Sequence, residues 1–293
     1  MVMTTLSTTI DRNSAGRVDV VVRQLSESSH SQVRGMVDHG CVSINGAMCQ
    51  TGATTVAAGD LVSIRFDRTQ RYHEKKKRWD DRTFTVSFED DHLIVVDKSA
   101  GTLTVPTNRD EINTLVDRVS IYLSHSRSKR EAWLVHRLDR DVSGLVIFGK
   151  HEKAATQLIA QFKERNPARV YAAIVAGVVS NDKGTFHSHL GTGKNLDRYV
   201  TRSSPKTELA ITHYRVLRRM SDTTLVEVTL ETGRRNQIRV HFADAGYPVL
   251  GDPRYKTKQA MHPRWIRKRI ALHAKSLGFE HPVSGEAVTF ESP

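Results

Sequence analysis

His136-Arg137-Leu138-Asp139-Arg140-Asp141-Val142-Ser143-Gly144-Leu145 decides how the rest of this 293-residue chain is read. Its first half is polar and turn-like. From Leu145 through Val146 and Ile147 to Phe148 the chain is apolar without interruption, the pattern of a strand buried on both faces. Asp139 therefore sits on a polar turn pinned to a rigid sheet, where catalytic groups are often found. A lone Asp in a loop is more often a solvated turn, so the weight rests on what surrounds it.

Working outward, alternating or apolar runs predict strands over 84–88, 93–97, 170–175, 210–217 and 224–230. Periodic segments predict helices over 111–122 (Leu115, Val116, Val119 and Tyr122 on one face), 152–164 (Leu158, Ile159, Phe162) and 234–245, the last ending at Gly246. Strand runs with few helices favour an α+β domain with a mainly antiparallel mixed sheet, covering residues 83–293. A small α+β module is expected over residues 15–67. In it, Ser31 caps a helix that runs to Asp38 and buries Val33, Met36 and Val37, and Gly40 closes that helix. Cys41-Val42-Ser43-Ile44 reads as a strand, Asn45-Gly46 as a hairpin turn, and Leu61 to Phe66 as a further strand. Residues 1–14 read as a disordered tail and residues 68–82 as a basic linker.

The net charge is +12, and two short segments carry most of it. Residues 68–82 hold seven Lys/Arg against three acids, and residues 252–269 hold seven against one. Clustered positive charge is the footprint of a polyanion. Trp79 and Trp265 lie in these segments, each either a stacking face for a base or a packing anchor. No run reaches 18 apolar residues, which argues against a membrane partner, and the N-terminus lacks a signal peptide. Cys41 and Cys49 flank the hairpin turn. A disulfide between them is conceivable, but two cysteines make neither a disulfide framework nor a zinc site, so a reducing, cytoplasmic setting is expected.

Four phrases follow in order along the larger domain. They are residues 89–101 (Glu-Asp-Asp-His-Leu-Ile-Val-Val-Asp-Lys-Ser-Ala-Gly), the Asp139 turn, Arg169-Val170-Tyr171-Ala172-Ala173-Ile174-Val175-Ala176-Gly177, and Thr232-Gly233-Arg234-Arg235-Asn236-Gln237-Ile238-Arg239-Val240-His241 continuing to Asp252. Leu272-His273-Ala274 closes the series. Together they resemble RluA-type pseudouridine synthases, which isomerise uridine in RNA. Residues 15–67 resemble the alpha-L RNA-binding module that often precedes that catalytic domain. The departures are Ser99 where the family usually has Pro, Val142 where Thr is common, Arg169 where Lys is common and Asn236 where His is common. They bear on the substrate subgroup more than on activity.

The resemblance implies a catalytic role for Asp139, with Arg239 as the cation that keeps it charged and Tyr171 as the aromatic face against the target base. It assigns Arg137 to the gap left by a flipped base. His136 belongs to the same substrate-facing turn, although a hydrogen-bonded structural histidine is the preferred reading. Lys194, Arg198, Arg202 and Lys206 resemble an RNA-gripping loop, and Lys75, Lys76 and Lys77 of the linker would touch RNA. Arg235 and Arg239, four apart, would share a helix face. The partner is RNA, ribosomal RNA ahead of transfer RNA. DNA is not expected, no metal or organic cofactor is implied, and a monomer is expected.

Other chemistries fit worse. His136-Arg137-Leu138-Asp139 is not the His-Arg-Asp order of a kinase loop. Gly191-Thr192-Gly193-Lys194-Asn195 lacks the spacing of a phosphate loop. His73-Glu74 and His151-Glu152 lack the second His of a zinc helix. Asp141 should point away from Asp139, unlike a glycosidase pair. The remaining rival is a catalytically inactive RNA-binding ribosome-assembly factor. Intact Asp139, Tyr171 and Arg239 speak against it.

Overall fold

The structure is a computed structural model that describes residues 3–49, 51–70, 72, 81–107, 109–124, 131–164, 167–266 and 268–293. The chain divides into two units, Met1–Trp79 and Asp80–Pro293.

The first unit runs β1 (Met3–Thr9), β2 (Gly16–Arg17), α1 (Val18–Ser26), α2 (His30–Asp38), β3 (Val42–Ile44), β4 (Ala47–Met48), β5 (Thr55–Val56) and β6 (Leu61–Asp67). The expected disordered tail is overturned from Met3 onward. β1 pairs antiparallel with β6 from Met3↔Asp67 to Thr9↔Leu61. Four of its residues are threonines, whose branched side chains suit a pleated edge while reading as polar tail by composition. Leu6 packs on the module core beside Ile64 and Phe66. The helix α1 was not anticipated, because Val18, Val21 and Val22 resemble strand formers. Their helical spacing buries one face, and tertiary packing overrides propensity. The cap of α2 is Ser29 rather than Ser31, in a capping box with Gln32. The Asn45-Gly46 turn forms as expected between β3 and β4, and Cys41 and Cys49 are not joined by a disulfide. Of the basic stretch, Tyr72 belongs to this core, its hydroxyl accepting from the Asp67 amide at 2.8 Å. Lys75, Lys76, Lys77 and Trp79 lie outside the described residues.

The second unit contains β7 (Phe84–Glu89), β8 (Leu93–Lys98), α3 (Leu115–Ser124), β9 (Trp133–Leu134), β10 (Ser143–Gly149), α4 (Glu152–Lys163) and β11 (Ala168–Ala176). β12 (Lys183–Thr192), β13 (Arg198–Thr201), β14 (Glu208–Arg219), β15 (Thr223–Leu230), α5 (Gln237–Asp244), α6 (Thr257–Ala260), β16 (Leu272–Glu280) and β17 (Ala287–Glu291) follow. Its sheet is ordered β13-β12-β14-β15-β11-β16-β10-β8-β7, with β9 beside β10 and β17 beside β16. Among the described pairings only β10 with β16 is parallel, so the unit is α+β with a mainly antiparallel mixed sheet. Leu93, Val95, Leu145, Ile147, Leu158, Leu277 and Phe279 form a core between the sheet and α4.

Three sequence expectations shift. Helix α3 starts at Leu115 rather than 111, because Asn113 is left-handed at φ 62° and Thr114 is tied to Asp117. Leu123, rather than Val116 or Tyr122, completes its buried face. Helix α5 starts at Gln237, because Asn236 is left-handed at φ 57°, so Arg235 precedes the helix and shares no helical face with Arg239. Of the stretch expected as a gripping loop, Arg198–Thr201 is strand β13, paired with β12, whereas Lys194, Arg202 and Lys206 lie in the connections on either side of it. No described helix is long and apolar enough to cross a membrane.

Candidate active site

The Asp139 turn is built from its own side. Leu145 to Phe148 bury β10, and the polar residues before it form a turn in which the Val142 amide donates to the Asp139 carbonyl at 3.2 Å. Lys98, the last residue of β8, is wholly buried. Its ammonium donates to the carbonyls of Ser99 (3.0 Å), Arg140 (2.9 Å) and Val142 (2.7 Å). Burial pushes its pKa down to about 8, with the charges of Asp141 and Asp139 opposing. Thr104 holds the preceding residue, its hydroxyl 2.7 Å from the Leu138 carbonyl and 3.2 Å from the Leu138 amide. Gly144 lies at φ 114°, and a Cβ there would stand 2.3 Å from the Ala274 carbonyl oxygen, so only glycine lets β10 and β16 approach.

Register then brings Tyr171 to the turn. Gly144 is level with Ala274 across β10 and β16, and Ala274 is level with Tyr171 across β16 and β11. A sequence separation of over a hundred residues to β16 is thereby closed across two strand spacings. Burial raises the Tyr171 pKa, the Arg169 charge opposes and the Asp139 charge adds to it, so the phenol stays protonated at neutral pH.

Arg239 arrives from α5, which packs on β13 and β14. Its Nε donates to Asp252 Oδ2 at 2.7 Å and its Nη2 to Asp252 Oδ1 at 2.8 Å, a bidentate pair that fixes the plane of the guanidinium. Nη1 then points to Asp139 and donates to Oδ2 at 2.6 Å. Asp252 is fully buried, Arg239 nearly so, and Asp139 keeps 28% of its side chain exposed. Burial would lower the Arg239 pKa, but the Asp252 hydrogen bonds and the charges of Asp139 and Asp252 hold it above its ordinary value. Tyr255 lies under this guanidinium at 5.2 Å, and its hydroxyl accepts from Asn236 at 2.9 Å. Among the described residues the other oxygen of Asp139, Oδ1, accepts no hydrogen bond. One oxygen is held and the other is left without a donor among the described residues.

Next to this turn lies a cavity of about 460 Å³, whose lining includes His136, Arg137, Phe162, Arg169 and Tyr171. Arg137 is exposed at it. His136 stacks on Phe162 with centroids 4.6 Å apart, and its Nε2 accepts from the Ile147 amide at 3.2 Å. Burial holds its pKa down at about 3, so it is a neutral histidine, held by Phe162 and the Ile147 amide in the wall of the cavity. Arg198 is displaced from an RNA-facing role. The β12–β13 hairpin turns it inward, where it pairs with Glu208 at 2.7 Å and donates to Thr192 at 2.6 Å. Lys194 and Lys206 remain exposed. Trp265 is a packing anchor, its indole donating to the Arg269 carbonyl at 2.8 Å beside Gly251. Around it Lys256, Lys258 and Lys268 stay exposed.

The model of the RNA pseudouridylate synthase family matches residues 92–244, which span the Asp139 turn, Tyr171 and Arg239. The chain belongs to that family. An S4 domain matches residues 16–62. A ribosomal large subunit pseudouridine synthase D from Pseudomonas aeruginosa is 32% identical over 289 residues, covering 94% of this chain and 88% of its own. One of the same description from Nitrosomonas europaea is 34% identical over 299 residues, covering 99% and 84%. The human RNA pseudouridylate synthase domain containing 4 shares the fold at a TM-score of 0.59 and 22% identity, over 71% of this chain and 87% of that one. The chain is thus an RNA pseudouridine synthase, an isomerase, preceded by an RNA-binding S4 domain.

Sequence reasoning gave Asp252, Lys98, Thr104 and Tyr255 no role. Lys98 and Asp252 left a signal only as members of the ordered phrases, within 89–101 and at the end of the fourth.

Proposed function

We propose that the enzyme converts uridine to pseudouridine in large-subunit ribosomal RNA, with Asp139 as the essential catalytic group. The observation that carries this is the Asp139 carboxylate, one oxygen fixed by Arg239 at 2.6 Å and the other unbonded, on a partly exposed turn beside Tyr171. The ribosomal assignment rests on the names of the relatives, which match this chain nearly end to end. It sets the enzyme in the cytoplasm, where that RNA is made in bacteria such as those that carry the relatives.

The reaction breaks the bond from the ribose anomeric carbon to N1, turns the base and joins the same carbon to C5. The C5 proton is lost and N1 gains one, so no redox equivalent is needed. Asp139 acts as a carboxylate, by attack on the sugar or the base or by assisting proton removal from the sugar. Arg239 keeps it ionised when a base covers the site and excludes water. Tyr171 offers a ring face worth roughly 1–3 kcal/mol in stacking and a neutral hydroxyl for proton movement. Flipping the uridine costs a few kcal/mol. Arg137, exposed beside the cavity, fills the vacated stack and meets phosphate with the same planar group.

The test is tritium release from C5-labelled uridine in large-subunit ribosomal RNA and in transfer RNA, with the wild type and Asp139→Ala. Release from ribosomal RNA by the wild type alone is expected. Release confined to transfer RNA would move the substrate, and tight RNA binding without release from either would favour an inactive assembly factor.

A further inference from the structure

One side chain of the catalytic unit has no counterpart in the chemistry above. Arg169 is 9% exposed, and its Nε and Nη2 are buried with no hydrogen-bond partner among the described residues. Such a charge is costly unless something compensates it. Among the described residues no carboxylate pairs with it. The cavity that Arg169 lines includes Arg137, Lys163 and Arg234 and no carboxylate. Its other walls are Phe162, over whose ring the guanidinium carbon lies at 5.7 Å, and apolar groups such as Leu230.

The room for this guanidinium is built in. Gly233 faces it, and a Cβ there would stand 2.4 Å from Nη1. Arg234 is already engaged by Glu208 at 3.0 Å and by the Leu209 carbonyl at 3.1 Å, so it is partly neutralised, whereas Arg169 is not. A carbonyl group would offer only a dipole to a cavity lined by Arg169, Arg137 and Lys163. An anion balances them.

We infer that this cavity is an anion site for one backbone phosphodiester of the RNA substrate, with Arg169 as the residue that receives it. The site lies on the Tyr171 side of the turn, two residues along β11, so a phosphate held there sets the depth at which the neighbouring nucleoside meets Asp139. Burial lowers the Arg169 pKa, and a phosphate beside it would oppose that. The inference rests on RNA being the substrate, but not on Asp139 being the catalytic group.

The test compares wild type, Arg169→Met and Arg169→Lys on an in vitro transcript of large-subunit ribosomal RNA. Binding is measured across salt concentrations and tritium release at varied RNA. Loss of one phosphate contact lowers the slope of log affinity against log salt by about 0.7–0.9. Arg169→Met is expected to show that drop and a KM at least ten times higher, with Arg169→Lys recovering most of the slope. Thermal melting should show Arg169→Met as stable as the wild type or more so. An unchanged slope with kcat reduced would overturn the inference and make Arg169 a positioning residue for Tyr171. A lower melting temperature for Arg169→Met would also overturn it, making the cation structural. A wild type that releases no tritium yet loses slope on substitution would defeat the proposed reaction while leaving the anion site standing.

Discussion

Around Arg239, two carboxylates and an asparagine take up the guanidinium, and the whole group is fixed before any substrate arrives. Around Arg169, in the same unit, the guanidinium meets an aromatic ring, a glycine and other cations. Both arginines are buried to a similar degree, at 6% and 9% exposure, so burial alone does not distinguish them. The difference is in the counter-charge. A saturated arginine is an instrument for orienting Asp139, whereas an unsaturated one stores an electrostatic demand that a ligand can meet.

The sharpest way to break that comparison is at Asp139. Asp139→Ala should lower tritium release on the order of 10⁴-fold or more while the protein stays folded, because Asp252 still balances Arg239. If the variant unfolds, Asp139 belongs to the scaffold. Next comes Arg239→Met, which leaves the buried Asp252 carboxylate without its cation. It should cost about 3–5 kcal/mol in denaturant unfolding. A loss under about 1 kcal/mol would mean that Asp252 is satisfied by its backbone donors from Arg254 and Tyr255 alone.

Arg169→Met should have the opposite sign. Removing an uncompensated buried cation should leave stability unchanged or raise it by about 1–3 kcal/mol, read from the same unfolding curves. A loss of similar size would erase the contrast between the two arginines. The smallest effect is on acidification. His136 and His241 have their pKa values lowered by burial from 6.5 to about 3 and about 4. Both are neutral when folded and protonate on unfolding, so their contribution is complete above pH 6.5 and lost as the pH falls toward 4. Roughly 1–3 kcal/mol should disappear over the first pH unit below 6.5, and His136→Phe should flatten part of it. A stability curve level from pH 7 to 4.5 would show these rings to be solvated in the folded state.

Several elements were legible from composition and period alone. The run Leu145 to Phe148 in β10 reads as buried strand because it has no polar residue to turn outward. β11, β14, β15 and α4 follow from equally plain patterns. The elements that were misread carry patterns whose meaning depends on distant neighbours. β1 is a threonine-rich run that becomes a strand only because β6 offers an edge. Arg198 reads as a surface cation and is turned inward by the β12–β13 hairpin toward Glu208.

At the site, the sequence by itself determined that Asp139 stands on a turn before a rigid strand. Through ordered phrases it also determined that Tyr171 and Arg239 accompany it. Local patterns carry that much because turn polarity, strand burial and chain order are properties of neighbouring residues. Only the tertiary structure decided that Asp252 fixes the plane of Arg239, that Lys98 clamps two carbonyls of the turn, and that Arg169 has no counter-charge among the described residues. These are facts about which charges meet. In a folded interior that depends on register and approach across strands far apart in the chain, and burial makes each meeting, or its absence, count for far more than it would in water.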